Sequence, residues 1–195
     1  MSEQLKALKE SVARLYDVTS DIQPIDYTAS AYPSEWTVAD TLSHLGSGAV
    51  IGAHRIEDFI AGRNSDPGYN QTVWNQWNAK APSEQVGDAL VSDREYLEAL
   101  ESLSDEQRAR YRMSLGPMTF DFEGVVGLRL GEHVVHTWDV EVSFEPDAVL
   151  PADASALILD RINFLVGRTA RPTGDERHVT IRTIEPERSF TLHLM

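Results

Sequence analysis

The segment from Phe120 to about Val142 constrains the fold most, because it is apolar on nearly every side when it is drawn as a helix. A helix of that kind packs inside a bundle, since a surface helix keeps one polar face for the solvent. The segment nevertheless contains a glutamate and two histidines, which are costly to bury without a partner. It therefore predicts a helical bundle with polar groups paired in its interior. The apolar residues are Val125, Val126, Leu128, Leu130, Val134, Val135 and Trp138.

The rest of the chain keeps a helical period until about residue 170. Apolar residues recur every three or four positions in several segments that proline, glycine and asparagine separate. Two later segments alternate as strands do, around the turn-like "EPER". We expect a mainly α protein, with a helical domain at residues 1–170 and a β-hairpin, or a truncated α/β appendage, at 171–195. The predicted helices span about residues 2–22, 38–62 (with Thr37 as N-cap), 72–80, 83–103, 120–142 and 151–168, and the predicted strands 178–184 and 189–195.

The charge and the composition exclude several classes of protein. A net charge of −14 argues against binding to nucleic acid or to an anionic membrane surface. No stretch approaches the roughly 18 apolar residues of a membrane span, and the charged N-terminus lacks the pattern of a signal peptide, so we expect a cytoplasmic protein. The absence of cysteine excludes disulfides and a thiol nucleophile of the protein's own. Any thiol chemistry would need a thiol supplied by a small molecule.

Glu132 and His136 are the first candidates for a metal site. They are four residues apart, so on a helix they lie about 40° apart on one face, within reach of a common ion. A third ligand is expected from a facing helix, because bundles build metal sites that way, and His44 is the best placed of the other histidines. Asp40, one turn before His44, and Asp139, at the margin of the Glu132 face, are the expected carboxylate partners of the ligands. Two histidines and one carboxylate leave a coordination position open, as in catalytic sites.

The spacing alone leaves alternatives open. The glutamate–histidine pair is also compatible with a simple hydrogen-bonded pair on one helix face. His133 could take the place of Glu132, although its direction, about 100° away, favours a place in the core. Zinc is the first choice for such a ligand set, but iron and nickel suit it as well. The tryptophans are expected in the core, and small residues near His44 are expected to leave room for a ligand. These small residues are Ser47, Gly48 and Gly52.

Two segments carry a resemblance to a known family. The stretch "EWTVADTLSHLGSGA" resembles the opening of the second helix in the DinB-like superfamily. The stretch "GEHVVHTWDVEV" resembles a segment of its mycothiol-dependent maleylpyruvate isomerase branch, and the two stand in the family's order. The resemblance covers about residues 1–170. It implies an up-and-down four-helix bundle that holds a divalent metal, usually zinc, through His44, Glu132 and His136.

The resemblance also implies a chemistry. Members of this branch with assigned activities use a low-molecular-weight thiol (mycothiol, bacillithiol or glutathione) in isomerase or S-transferase reactions. We therefore expect a metal- and thiol-dependent S-transferase or isomerase, with mycothiol as the first choice of thiol and a small electrophile as the other substrate. Arg129 and Arg55 are the candidates for binding an anionic substrate. The alternative is a non-catalytic metal- or thiol-binding module in regulation or stress response, and a homodimer is compatible with either.

The chain departs from the isomerase branch at its C-terminus. That branch has a C-terminal α/β domain that helps to build the active site and supplies an arginine. Here only about residues 172–195 could correspond to it. Arg177, Arg182 and Arg188 lie in this segment, and none of them can be aligned with that arginine. The identity of the electrophile therefore stays open.

Overall fold

The structure, a computed structural model, describes residues 2–33, 35–162, 166–167, 171, 174 and 176–194. It is mainly helical and ends in a two-stranded hairpin, which confirms the predicted fold class. The elements are α1 (Glu3–Ser20), a 3-10 helix (Pro24–Thr28), α2 (Val38–Ala61), α3 (Tyr69–Asn78), α4 (Pro82–Ser102), α5 (Asp105–Arg110), β1 (Arg112–Leu115), β2 (Met118–Asp121), α6 (Phe122–Glu141), α7 (Ala152–Leu159), β3 (Arg177–Ile184) and β4 (Glu187–Leu194).

Four long helices enclose the main core. Helix α2 packs most extensively on α4, and α1 on α6, while α1 also contacts α4 and α2 also contacts α6. Each helix thus has two neighbours, as in a four-helix bundle. Burial of a leucine side chain contributes roughly 1.5–3 kcal/mol, so the fully buried leucines account for much of the packing. They are Leu5, Leu8, Leu15, Leu42, Leu45, Leu100 and Leu130.

The sequence around Thr37 and Gly62 fixes both ends of α2. The Thr37 hydroxyl accepts a hydrogen bond from the Asp40 backbone N–H at 3.1 Å, and the Asp40 carboxylate accepts one from the Thr37 N–H at 2.9 Å. This capping box satisfies two donors that would otherwise lack partners at the helix start. At the other end Gly62 adopts φ 65°, which glycine reaches without strain. The helix therefore begins at the predicted residue and places His44 near its N-terminus.

The hairpin of β1 and β2 is absent from the sequence-based prediction. Its strands pair antiparallel from Arg112 opposite Asp121 to Leu115 opposite Met118. Asp121 then caps α6, because its carboxylate accepts a hydrogen bond from the Gly124 N–H at 2.8 Å. Helix α6 consequently starts at residue 122, two residues after the predicted start.

Helix α6 is buried around most of its surface but leaves an exposed strip that includes Glu132 and Val135. Val126, Leu130 and Val134 are almost fully buried, whereas Val135 is 37% exposed and the Glu132 side chain is 53% exposed. The prediction of a helix surrounded by the bundle on all sides is therefore wrong for this strip. The difference arises because α6 has neighbours on two sides, α1 and α2, which leaves an outward face. Glu132 lies at the rim of the bundle and keeps contact with water.

The chain divides into two compact units, residues 1–154 and 155–195, whereas the sequence predicts a boundary after residue 170. Helix α7 ends at Leu159, and residues 163–165 and 168–170, which include much of the predicted remainder of that helix, lie outside the described residues. In the second unit β3 and β4 pair antiparallel over eight residues each. None of the helices in the described part of the chain has the length and the apolar character needed to cross a membrane.

Candidate metal centre

The structure brings His44, Glu132 and His136 together at the rim between α2 and α6. Nε2 of His44 lies 3.2 Å from Oε2 of Glu132, and Nε2 of His136 lies 3.6 Å from the same oxygen. The two imidazole rings meet edge to face with their centroids 4.8 Å apart. Helix α6 supplies two of the three groups because its four-residue spacing puts them on one face.

The separations suit a divalent ion. One ligand atom from each of the three residues lies within 4.8 Å of the others. A tetrahedral zinc ion with bonds of about 2.0–2.1 Å keeps its ligand atoms about 3.4 Å apart, close to the 3.2 and 3.6 Å observed. Imidazole and carboxylate are also ligands that zinc, iron and nickel accept. The donor set and its spacing therefore fit a metal, without distinguishing among these three.

Asp139 fixes the orientation of the His136 ring. Its buried carboxylate lies 2.7 Å from Nδ1 of His136 and accepts the hydrogen bond that orients the ring. Burial alone would lower the pKa of His136, but the hydrogen bonds to Glu132 and Asp139 outweigh it and raise that pKa. With the Nδ1 proton held by Asp139, Nε2 is the nitrogen that faces Glu132 and is available as a ligand.

The histidines also stabilise the ionised form of Glu132. Hydrogen bonds from His136 and from His44 hold the pKa of the Glu132 carboxyl well below its ordinary value, against the opposing effect of burial. The carboxylate is therefore ionised at neutral pH. Its side chain is 53% exposed and that of His44 is 42% exposed. The three groups thus form a site that is charged and accessible from solvent.

Trp36 flanks both histidines. Its ring centroid lies 5.3 Å from that of His44 and 5.9 Å from that of His136, and it is stacked on the latter. The tryptophans were expected in the core, and this holds for Trp77, which is buried, but not for Trp74, which is 44% exposed. Trp36 forms an aromatic wall of the candidate site. The sequence signal was its position immediately before the Thr37 cap of the helix that carries His44.

Asp40 does not have the role expected from its spacing. Its Oδ2 accepts hydrogen bonds from the Thr37 N–H at 2.9 Å and the Thr37 hydroxyl at 2.7 Å. Within the described residues, no hydrogen bond joins Asp40 to His44. The capping box takes precedence because it satisfies the backbone at the helix start. The prediction that Asp40 orients the His44 ring is therefore wrong.

A buried polar network lies beneath the site, and its central residue, Asp93 on α4, was missed. The Asp93 carboxylate accepts hydrogen bonds from Arg129 and, at 3.2 Å, from Nε2 of His133. Nδ1 of His133 lies 2.8 Å from the Ser11 hydroxyl on α1. A signal for Asp93 was present, because it falls on the apolar face of α4. That face includes Val86, Ala89, Leu97 and Leu100.

Neither arginine proposed for substrate binding lies in the candidate metal centre. Arg129 is held inside the bundle by Asp93 and by the carbonyl of Leu45, to which it donates at 3.0 Å, and its side chain is only 9% exposed. It pairs with a buried acid and is not available to a substrate. Arg55 lies eleven residues after His44 on α2, about 16 Å further along the helix axis. It lines a different cavity.

The small residues of α2 make room for neighbouring helices. A Cβ atom on Gly52 would lie 2.4 Å from the Tyr96 ring, and one on Gly48 would lie 3.1 Å from Nη1 of Arg129. Ser47 is buried and its hydroxyl donates to the His44 carbonyl at 3.1 Å. The expectation that these residues leave space for a ligand is therefore wrong. They let α4 side chains and Arg129 approach the backbone of α2 closely.

Two solved structures are similar to the chain in fold. They are the crystal structure of the mycothiol-dependent maleylpyruvate isomerase and that of a histidine-to-alanine mutant of the same isomerase. Both give a TM-score of 0.66, with sequence identities of 14% and 13% respectively. The similarity covers 81% of this chain and 65% of the isomerase, so the chain corresponds to only part of the length of that protein. No curated protein matches the sequence.

A family pattern matches most of the bundle. Residues 8–141 match the family described as the mycothiol maleylpyruvate isomerase N-terminal domain. The matched range contains His44, Glu132, His136 and Asp139. It also exceeds half of the 195-residue chain. The chain therefore belongs to the mycothiol maleylpyruvate isomerase N-terminal domain family.

Proposed function

We propose that the protein is a divalent-metal-dependent enzyme that uses a low-molecular-weight thiol in an isomerase or S-transferase reaction on a small electrophile. Mycothiol is the first choice of thiol, because the family and the similar structures carry its name. One observation supports the proposal most. His44, Glu132 and His136 present two imidazole nitrogens and a carboxylate oxygen to one point at an accessible rim.

Each side chain of the site would have its own role in the reaction. His44, Glu132 and His136 would hold the ion, and zinc is our first choice, with iron or nickel as alternatives. A divalent ion bound there would lower the pKa of a thiol and keep it as the nucleophilic thiolate near neutral pH. Asp139 keeps the His136 ring in place, and Trp36 covers one side of the two rings. A thiol would approach from the solvent side, where His44 and Glu132 are exposed.

The absence of cysteine is consistent with a mechanism in which the protein holds the metal and the cosubstrate supplies the thiol. The chain has no thiol of its own to occupy the ligand set or to attack a substrate. A thiol nucleophile would therefore arrive with the cosubstrate, and the exposed rim would give it access. We place the reaction in the class of thiol addition to an electrophilic carbon, followed either by loss of the thiol, which completes an isomerisation, or by its retention in an S-transfer product.

A turnover assay tests the proposal. The zinc-loaded protein would be incubated with mycothiol, bacillithiol or glutathione, and with maleylpyruvate or a panel of other small electrophiles. Consumption of the thiol or isomerisation of the electrophile should be seen with the wild type and be lost in His44→Ala. The variant His178→Ala is the matched control, because it removes an exposed histidine of strand β3, which belongs to the other compact unit. Bound metal with no turnover of any thiol would support the non-catalytic metal- or thiol-binding module instead.

A further inference from the structure

A cavity of about 530 Å³ lies at the C-terminal end of α2. Its wall is formed by that end of α2, the following loop and strand β1, and it includes Arg55, Arg63, Tyr111 and Arg112. The volume is within the roughly 300–1,000 Å³ of small-molecule pockets. Because Arg55 lies about 16 Å along α2 from His44, this cavity is separate from the metal centre.

Arg55 is a half-buried cation without an acidic partner in the described part of the chain. Nη1 of Arg55 donates to the Met113 sulfur at 3.2 Å, which is its one hydrogen bond there. A thioether is a weak acceptor, whereas a guanidinium offers five N–H donors. Burial of a charge is costly unless an opposite charge or strong acceptors compensate it. Arg55 therefore has both the charge and the unused donors to bind an anion.

The acids of the cavity contact groups other than Arg55. Oδ1 of Asp58 accepts a hydrogen bond from Nε of Arg63 at 3.0 Å and forms an ion pair with Nη2 of the same residue. Its buried Oδ2 lies 3.4 Å from Nε2 of His54 and has no hydrogen-bond partner among the described residues. Asp66 accepts a hydrogen bond from the backbone N–H of Gly68 at 2.8 Å. Neither acid forms an ion pair with Arg55. The positive charge of Arg55 is thus not neutralised within the cavity.

Arg112 adds a second positive charge that the protein holds in place. Its Nη1 donates to the carbonyl oxygens of Ala109 and Tyr111, at 2.9 and 2.6 Å. These contacts orient the guanidinium without neutralising it, since a carbonyl carries no net charge. In a chain with a net charge of −14, two arginines on one cavity wall that form no ion pair with any described acid are a distinct local feature.

Aromatic side chains form the apolar part of the wall. The half-buried rings of Phe59 and Tyr69 line the cavity. The almost fully buried Tyr111 packs edge to face against Phe59, with the ring centroids 5.0 Å apart. Apolar walls with a few placed polar groups are typical of small-molecule sites. The cavity therefore offers an apolar surface for the body of a ligand and guanidinium groups for its charge.

We propose that this cavity is a second binding site, for a small organic molecule with a carboxylate or phosphate group that pairs with Arg55 and Arg112. Guanidinium groups bind both of these anions through paired hydrogen bonds. The aromatic wall favours a molecule with an apolar or ring-shaped body over a free inorganic ion. The site does not depend on the metal centre or on the proposed thiol chemistry.

Calorimetric titration tests the proposal with three probes: benzoate, phenyl phosphate and inorganic phosphate. Saturable 1:1 binding of benzoate or phenyl phosphate is expected, and the stronger of the two identifies the anion. Arg55→Gln should weaken it at least about tenfold, because a charge-assisted pair is lost. Arg112→Gln should weaken the binding as well. If Arg55→Gln does not fold, the affinity of Arg112→Gln serves as the test.

The matched controls are Arg110→Gln and His44→Ala. Arg110 is exposed on α5 and does not line the cavity, so its loss changes the net charge equally and should leave binding unchanged. His44→Ala should also leave it unchanged, since the two sites are separate. Absence of saturable binding of both benzoate and phenyl phosphate would overturn the proposal, and so would tighter binding of inorganic phosphate than of either. So would binding that neither Arg55→Gln nor Arg112→Gln weakens, or binding that His44→Ala abolishes.

Discussion

Nε2 of His133 lies 3.2 Å from Oδ2 of Asp93, although the two residues are forty positions apart in the chain and both are almost completely buried. Arg129 donates to the other oxygen of the same carboxylate. Asp93 is therefore the point at which a buried acid, a buried arginine and a buried histidine of this bundle meet. The candidate metal centre, by contrast, lies at an exposed rim. The network connects α4 with α6 and, through Ser11, with α1.

Asp93→Asn should destabilise the protein strongly. The substitution removes the negative charge and leaves the buried Arg129 uncompensated, which typically costs about 3–5 kcal/mol. Urea unfolding followed by circular dichroism measures the loss. Asp88→Asn is the control on the same helix, because Asp88 forms a surface pair with Lys80 and its loss should cost less than about 1 kcal/mol. Equal effects of the two substitutions would contradict the assignment of Asp93.

The contribution of Asp93 should disappear in acid. Burial alone would raise the pKa of the Asp93 carboxyl, but the charges of Arg129 and His133 outweigh it and hold that pKa below the ordinary 3.8. A carboxyl whose pKa is lowered in the folded state adds stability above its unfolded pKa and loses it as the pH falls through the folded value.

The difference in unfolding free energy between wild type and Asp93→Asn should therefore be level above about pH 5 and shrink below about pH 3.8. Urea unfolding at a series of pH values measures it. A difference that persists undiminished at pH values well below the folded pKa would show that the charge of Asp93 is not the source of the stability.

Gly52→Ala should be destabilising despite the higher helix propensity of alanine. The new Cβ would lie 2.4 Å from the Tyr96 ring, and overpacking of this kind costs about 1–3 kcal/mol. Gly87→Ala on α4 should instead stabilise by about 0.5–1 kcal/mol, because that helical glycine is exposed and no atom lies near its Cβ position. Thermal unfolding compares the two, and stabilisation by Gly52→Ala would refute the close contact at Gly52.

The sequence predicted the helices and strands better than it predicted the contacts between them. The helices were predictable because apolar periodicity and caps such as Thr37 are local signals. The hairpin of β1 and β2 was missed because four-residue strands are too short to show alternation, and the turn at Gly116 suggested only an interruption.

Partners across the bundle were harder to predict than the site itself. His44, Glu132 and His136 could be selected from helix faces and from the family resemblance. The partners of Arg129 and Asp93 could not, because they depend on which helices are neighbours and at what register. The apolar periodicity of a single sequence does not show which helices are neighbours.

Asp139→Ala should weaken metal binding without removing a ligand. It takes away the carboxylate that accepts the hydrogen bond from Nδ1 of His136, and loss of such a partner typically costs 10- to 100-fold in affinity, so we expect about that range. Competition with a chromogenic chelator measures the zinc dissociation constant. Asp147→Ala, an exposed acid in the loop after α6, is the control and should leave the constant unchanged. An unchanged constant in Asp139→Ala would exclude this role.

The metal content of the purified protein tests the central claim most directly. Elemental analysis after purification without chelators, and again after exposure to zinc, should find about one divalent ion per chain. The content should be lost in His44→Ala, Glu132→Gln and His136→Ala and kept in His178→Ala, with circular dichroism showing that each variant is folded. A folded wild type that holds no ion after exposure to zinc, or folded ligand variants that hold as much metal as the wild type, would contradict the proposed metal centre.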